Sequence, residues 1–246
     1  MTDSSVVRPV QRRKLWEEVA SGLRAMIEDG SYAEGALLPS EGELMQMFGV
    51  GRPSIREALF ALHLTGMVAI TSGERARVTV PSPDTLLFHL SGVARHFLGK
   101  TGGPEHFQEA RAIFEVGLAR IAAERGTKDD VARLGHALEA NIAAKGDPTR
   151  FARTDVAFHY VLATATRNPI FTAVHDAIVE WLTGQRTAAL RAPDAEEIAA
   201  LGHQRIFEAV AEGDPAAAAA AMSDHLSEIA ALLRQTRARE LAEGAK

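Results

Sequence analysis

The sequence predicts a mainly α-helical chain in two parts: a small N-terminal head of three helices and a two-stranded hairpin, then an all-helical body. Three observations predict it. Apolar residues recur at steps of three and four through most of the chain. Two short β-branched runs, around residues 68–70 and 78–80, follow the third helix, and everything beyond them reads as helix. Val80-Pro-Ser-Pro-Asp84 sets two prolines in three residues, which favours an extended connector. The head therefore spans 1–80, the connector 81–84 and the body 85–246.

In the head, Leu15, Val19, Leu23 and Ile27 step along one face of a first helix that ends near Gly30. Pro39-Ser40-Glu41-Gly42-Glu43 is a helix start in which Ser40 caps and Glu43 reaches back three residues. That short helix stops at Phe48-Gly49. A third begins around Gly51-Arg52-Pro53, with proline tolerated in the first turn. Ile55, Leu59 and Leu62 face inward, and the helix ends near Gly66. Val68–Ile70 and Val78–Val80 then flank Ser72-Gly-Glu-Arg75 as a hairpin, so the head is a winged helix-turn-helix.

The body is an all-α helical bundle whose helix starts are legible. Asp147-Pro148, Asn168-Pro169 and Asp214-Pro215 each set a capping side chain before a proline at the first helical position. Thr127–Asp130 and Asp194–Glu197 read as two further capped starts. Helices are expected at roughly 85–98, 105–124, 128–144, 149–166, 169–190, 195–212 and 215–241.

Composition narrows the class. The 246 residues are 46% hydrophobic and 24% charged, the profile of a soluble globular protein. No stretch reaches the roughly 18 apolar residues of a membrane helix, and the alanine run Ala216–Ala221 is too short. The N-terminus lacks a basic-then-apolar secretory pattern, and there is no cysteine for a disulfide or thiolate site. A cytoplasmic protein without a membrane partner is expected. The net charge is −5, and residues 1–80 carry nine Lys/Arg against ten Asp/Glu. Placement matters more than the total: arginines cluster at Arg8–Lys14, at Arg52/Arg56 and at Arg75/Arg77, and a local field is what phosphate contact requires.

A third helix that enters a major groove must carry donors on its outward first turns. Here that face offers Arg52, Ser54 and Arg56, while Ile55 and Leu59 hold the helix to the core. The planar arginine fork suits guanine or phosphate. Arg75 and Arg77 place two more cations on the hairpin. The plainer alternative is a solvated surface helix.

In the body, Asp155 and His159 lie four apart on one helix face. The last two helices form a hairpin around Gly213-Asp214, with His203 ten residues before the glycine and His225 eleven after the aspartate. At 1.5 Å per residue both stand about 16 Å from the turn, at one height. One carboxylate and three imidazoles suit Zn²⁺, Ni²⁺ or Mn²⁺ better than Mg²⁺. Four polar residues satisfied locally in helix packing is the other reading. The remaining histidines (His63, His89, His96, His106, His136 and His175) have no partner at ligand spacing, and the last three read as surface positions.

A metal with open positions attracts carboxylate and hydroxyl oxygens, which favours an acidic small molecule. Arg111 lies in line with Phe114 and Leu118 on an apolar stripe, so it points inward and needs a partner. That partner is either the acid or Glu115, four residues on. Arg153, beside the metal pair, is a second candidate for the acid.

Leu38-Pro-Ser-Glu-Gly-Glu-Leu-Met45, Phe48-Gly-Val50, Arg52-Pro-Ser-Ile-Arg-Glu-Ala-Leu59 and Gly66-Met-Val68 resemble the GntR family of bacterial transcription regulators. The helical half is similar to that family's FadR-type (FCD) sensing domain. Gly51–Ser54, Gly73–Val78, Pro81–Thr85 and Leu90–Gly92 are shared with the NanR-like sialic-acid regulators in particular. The resemblance implies operator contact by Arg52 and Arg56, with Pro53 and Ser54 beside them and Ser72 and Gly73 in the wing. It implies metal ligation by Asp155, His159, His203 and His225, and N-acetylneuraminate or a related acid as effector. One departure is Gly42, where many relatives carry arginine, so their operators do not transfer. A homodimer on double-stranded operator DNA, released by the effector, follows as the expected mechanism. Two rivals are a regulator for which the metal itself is the signal and a metalloenzyme; the enzyme lacks a general base at recognisable spacing.

Overall fold

The computed structural model describes residues 14–244; Arg8, Arg12 and Arg13 of the expected basic cluster lie outside them. The chain divides into two compact units between Leu86 and Leu87.

In the first unit, α1 (Leu15–Glu28), α2 (Glu41–Phe48) and α3 (Arg52–Leu64) precede β1 (Val68–Ala69) and β2 (Arg77–Val78). Leu23, Leu38, Leu44, Ile55 and Leu62 are fully buried at its centre. α2 starts as a capping box: the Ser40 N–H donates to the Glu43 carboxylate at 2.7 Å, and the Glu43 N–H donates to Ser40 Oγ at 3.3 Å. Gly49 ends it with φ +65°, a conformation that glycine adopts without a Cβ penalty, and so sets the turn into α3.

The hairpin is shorter than expected and its second strand lies earlier. Val68 pairs with Val78 and Ala69 with Arg77, leaving Ile70 and Val80 outside the strands. Burial sets this register, because it puts both Val68 and Val78 on the core, whereas a one-residue slip would turn them outward. The segment before α2 adds to the hairpin, with the Leu38 N–H donating to the Ala76 carbonyl and the Val78 N–H to that of Ala36, both at 2.8 Å.

α4 (Pro83–Leu98) begins inside the expected connector, because Pro83 fits the first turn, where a missing N–H costs nothing. The second unit continues with α5 (Gly103–Arg125), α6 (Lys128–Ile142), α7 (Pro148–Ala165), α8 (Pro169–Ala189), α9 (Ala195–Glu212) and α10 (Pro215–Gly244). The caps at Asp147, Asn168 and Asp214 all accept first-turn N–H groups at 2.9–3.0 Å. Asp194 is the exception. It sits at φ +58° in the corner between α8 and α9, and its side chain caps nothing. Phe158, Leu162, Leu134, Ile206 and Met222 fill the centre of the bundle. Among the described residues no helix is long and apolar enough to cross a membrane.

Candidate metal centre and nucleic-acid interface

Helices α7, α9 and α10 bring Asp155, His159, His203 and His225 together. One candidate ligand atom from each lies within 4.8 Å of the others, and all four residues are buried. His203 Nε2 is 3.2 Å from His159 Nε2 and 3.4 Å from Asp155 Oδ1. Donors held at 2.0–2.1 Å around one tetrahedral ion stand about 3.3 Å apart, so these separations fit a bound cation. Two ring nitrogens this close, both buried, need a proton or a cation between them.

Neighbouring side chains orient the rings. His203 Nδ1 lies 2.9 Å from Asn141 Oδ1, and Asn141 Nδ2 donates to Thr154 Oγ1 at 3.1 Å, which sets the direction of the amide. His203 therefore carries its proton on Nδ1 and presents the Nε2 lone pair to the cluster. Glu115 Oε2 stands 2.5 Å from His159 Nδ1, a carboxylate–histidine pairing common behind metal ligands. Burial pushes His203 down to about 3 and His225 well below the ordinary imidazole value, so both rings are neutral, as ligation requires. Burial pushes Asp155 up, but Arg186 and the facing histidines outweigh it and hold the carboxyl below its usual range. At Glu115 burial is likewise outweighed, by Arg111 and His159. His225 Nδ1 is buried without a hydrogen-bond partner.

Beside the cluster is a cavity of about 20 Å³ whose polar wall is Arg111, Asp155, Arg186 and His225, and whose apolar wall is aliphatic. A wider surface groove of about 260 Å³ between α5 and α10 contains none of these four residues. Arg111 points inward as expected and donates from Nε to Glu115 Oε1 at 2.6 Å, so the partner named for it from sequence is in place. Arg186 Nη1 pairs with Asp155 Oδ2, while its Nε and Nη2 are buried with no hydrogen-bond partner.

Arg153 is placed differently from expectation. It is exposed and lines no part of the cavity, because two residues along a helix turn it about 200° from Asp155. His175, read as a surface position, is fully buried, edge-on to Tyr160 and 3.3 Å from Asp176 Oδ1. Sequence reading missed Arg186 and Asn141, although each interrupts an apolar stripe as Arg111 does: Ile178, Leu182, Arg186, Ala189 and Leu134, Leu138, Asn141.

On the first unit, Arg52, Pro53 and Arg56 are exposed at the start of α3, Ser54 is half-buried, and Ile55 and Leu59 are buried. Glu41, at the first position of α2, accepts from Arg56 Nε at 2.9 Å and lies 3.6 Å from Arg52 Nε. Ser72, Gly73 and Arg75 are exposed at the tip of the hairpin, where Gly73 turns with φ +81°. Arg77 Nη1 donates to the Gly35 carbonyl at 2.6 Å, an intrachain partner that ties the hairpin to the segment before α2.

Comparison with known proteins places both units. Residues 15–78 match the sequence profile described as bacterial regulatory proteins, gntR family, and residues 106–228 match the FCD domain. The HTH-type transcriptional repressor NanR of Cronobacter sakazakii is 46% identical over 227 residues, 90% of this chain and 86% of that protein. The repressor of the same name from Klebsiella aerogenes is 44% identical, over 92% of this chain and 88% of its own. Among solved structures, a GntR of Streptococcus agalactiae superposes with TM-score 0.60 at 26% identity, covering 87% of this chain and 98% of that one.

Proposed function

Because the chain belongs to the GntR family of bacterial regulatory proteins, and is thus a DNA-binding transcriptional regulator rather than an enzyme, we propose that it represses its operator until a small acid binds beside a buried metal. The observation that carries this reading is the Asp155–His159–His203–His225 cluster sharing a wall with Arg186. Those four residues would hold the ion. One carboxylate and three imidazoles suit zinc, with nickel or manganese as the alternatives. When bound, the metal supplies a Lewis-acid anchor for a carboxylate or hydroxyl oxygen.

The chain's own residues account for the choice of an acid. Arg186 presents two buried N–H-bearing nitrogens without partners, and a buried guanidinium in that state favours an anion. Arg111 stands across the same cavity but already holds Glu115, so it tunes the charge of the wall. N-acetylneuraminate is the acid to which the resemblance points. A 20 Å³ void holds about one water, so such an acid enters only if α8, α9 or α10 shifts. That requirement couples binding to shape, and a preference of several kcal/mol for the shifted form suffices to release DNA.

On the reading side, Arg52 and Arg56, with Pro53 and Ser54, face the major groove, and Ser72, Gly73 and Arg75 approach the flanking backbone. Arg77 braces the wing. The regulator acts as a homodimer on two half-sites. The rival in which the metal alone is the signal rests on the same four ligands, which suffice to bind an ion without an acid.

Fluorescence anisotropy tests the proposal, using a duplex recovered by in vitro selection and zinc-loaded protein. Release by N-acetylneuraminate, abolished by chelation, is expected. Release by metal alone would favour the rival, and unchanged affinity with every acid and metal would overturn both.

A further inference from the structure

Glu41 lies at the first position of α2, outside every residue so far given a role toward DNA, yet it touches both arginines that face the groove. Arg56 Nε donates to its Oε1 at 2.9 Å, and Arg52 Nε lies 3.6 Å from its Oε2. Arg52 and Arg56 stand one turn apart on α3, so one carboxylate reaches both from the side of α2. Both arginine side chains are about 60% exposed or more, whereas Glu41 is only 33% exposed. The carboxylate is the sheltered member of the trio and the guanidinium groups are the exposed ones.

We propose that Glu41 is a positioning residue for sequence discrimination: it holds Arg56 by a hydrogen bond at Nε and Arg52 by a longer ion pair at Nε, and leaves their terminal amino groups for base edges. This rests on the reading that these arginines face DNA. The chemistry acts in two directions. An unrestrained arginine searches many rotamers and takes the nearest phosphate, which is sequence-blind contact. Held at Nε, its two terminal nitrogens keep the planar fork that grips guanine O6 and N7. At the same time, a carboxylate near the groove repels phosphates and weakens binding to any sequence. Glu41 therefore lowers affinity for random DNA and raises the operator's advantage over it.

The test compares the wild type with Glu41→Ala, Glu41→Asp and Arg56→Ala on two duplexes of one length: one selected in vitro by the wild type and its scrambled counterpart. Anisotropy titrations across a salt series and a melting curve are recorded for each. Glu41→Ala is expected to bind scrambled DNA about threefold more tightly, with a salt slope steeper by roughly one as a freed arginine meets a phosphate. Its operator-to-scrambled ratio falls about tenfold. Glu41→Asp keeps the charge at the helix start but shortens its reach, so it melts like the wild type and still loses discrimination. An unchanged ratio in Glu41→Ala, while Arg56→Ala loses operator binding, overturns the proposal and leaves the arginine reading standing. Equal loss on both duplexes with a lowered melting temperature, and full retention in Glu41→Asp, would make Glu41 a helix-start residue and also overturn it. Operator binding untouched in Arg56→Ala would remove the reading itself.

Discussion

The ring of His225 packs against the backbone of Gly202: a Cβ at residue 202 would stand well inside 3.0 Å of Nδ1. Glycine at this point lets α9 and α10 approach closely enough for His203 and His225 to share one site. Gly202→Ala is expected to cost about 1–3 kcal/mol from overpacking, and to weaken zinc affinity at least tenfold by moving one ring. Calorimetry with a zinc titration checks both. Unaltered affinity would show that the ring has room to retreat.

Zinc and acid should stabilise the second unit in sequence. At a hundred times its dissociation constant, a ligand specific for the folded state adds about 2.7 kcal/mol, which corresponds to a rise of roughly 5–10 °C in melting temperature for a unit of this size. Thermal shift with N-acetylneuraminate, glucuronate, galacturonate and lactate as separate additions identifies the acid. The expected increment disappears on chelation. An increment that survives chelation would place the acid away from the metal.

Arg186 and Arg153 should separate cleanly. Arg186→Gln is expected to abolish the acid's thermal increment while zinc still binds, because Asp155 keeps its oxygens for the ion. Arg153→Gln, on the exposed side of α7, should behave as the wild type. Without metal, Arg186→Gln leaves Asp155 buried and unpaired, a loss of about 3–5 kcal/mol, so the comparison belongs in zinc. Arg186→Lys, which retains a positive charge but not the planar fork, provides a second measurement if the glutamine variant does not fold.

Asp130 should dominate acid sensitivity at the start of α6. It accepts from the Thr127 N–H at 2.8 Å and the Thr127 hydroxyl at 2.7 Å, and it pairs with Arg167 at 2.6 Å and with Arg133. Burial opposes ionisation, yet the hydrogen bonds from Thr127 and the two arginines hold the carboxyl well below its ordinary 3.8. A group depressed in the folded state stabilises above its unfolded value, and the gain fades as pH falls from about 4 toward the folded value. Asp130→Asn should therefore lose about 1–2 kcal/mol at neutral pH and show a flatter decline below pH 4. Urea melts across pH 2–7 measure this. Parallel curves for the two proteins would contradict it.

The features legible in the amino-acid order are those set over a few residues or by a constant rise. The helix starts at Asp147, Asn168 and Asp214 could be read because a cap and its N–H lie two or three positions apart. Asp155 and His159 share a face through one turn of helix. His203 and His225 could be matched across the α9–α10 hairpin because both helices climb equally from Gly213. Arg111 and Glu115 were legible as a pair for the same local reason.

What only the tertiary structure decided depends on how helices rotate against one another, a quantity no short window contains. Arg186 meets Asp155 across 31 positions, and Asn141 orients His203 across 62. Arg77 reaches the carbonyl of Gly35 across 42, and the hairpin register follows from which valines the core accepts. Asp194 reads locally as a cap, but the corner between α8 and α9 requires a left-handed residue there and turns the side chain away. The sequence by itself determined most of the helices, the spacing that lets Asp155, His159, His203 and His225 converge and the exposed face of α3, because local hydrogen bonds and helical period specify them. Packing decided which charges are neutralised and which donors remain unpaired, because burial makes each polar group seek a partner wherever the fold has placed one.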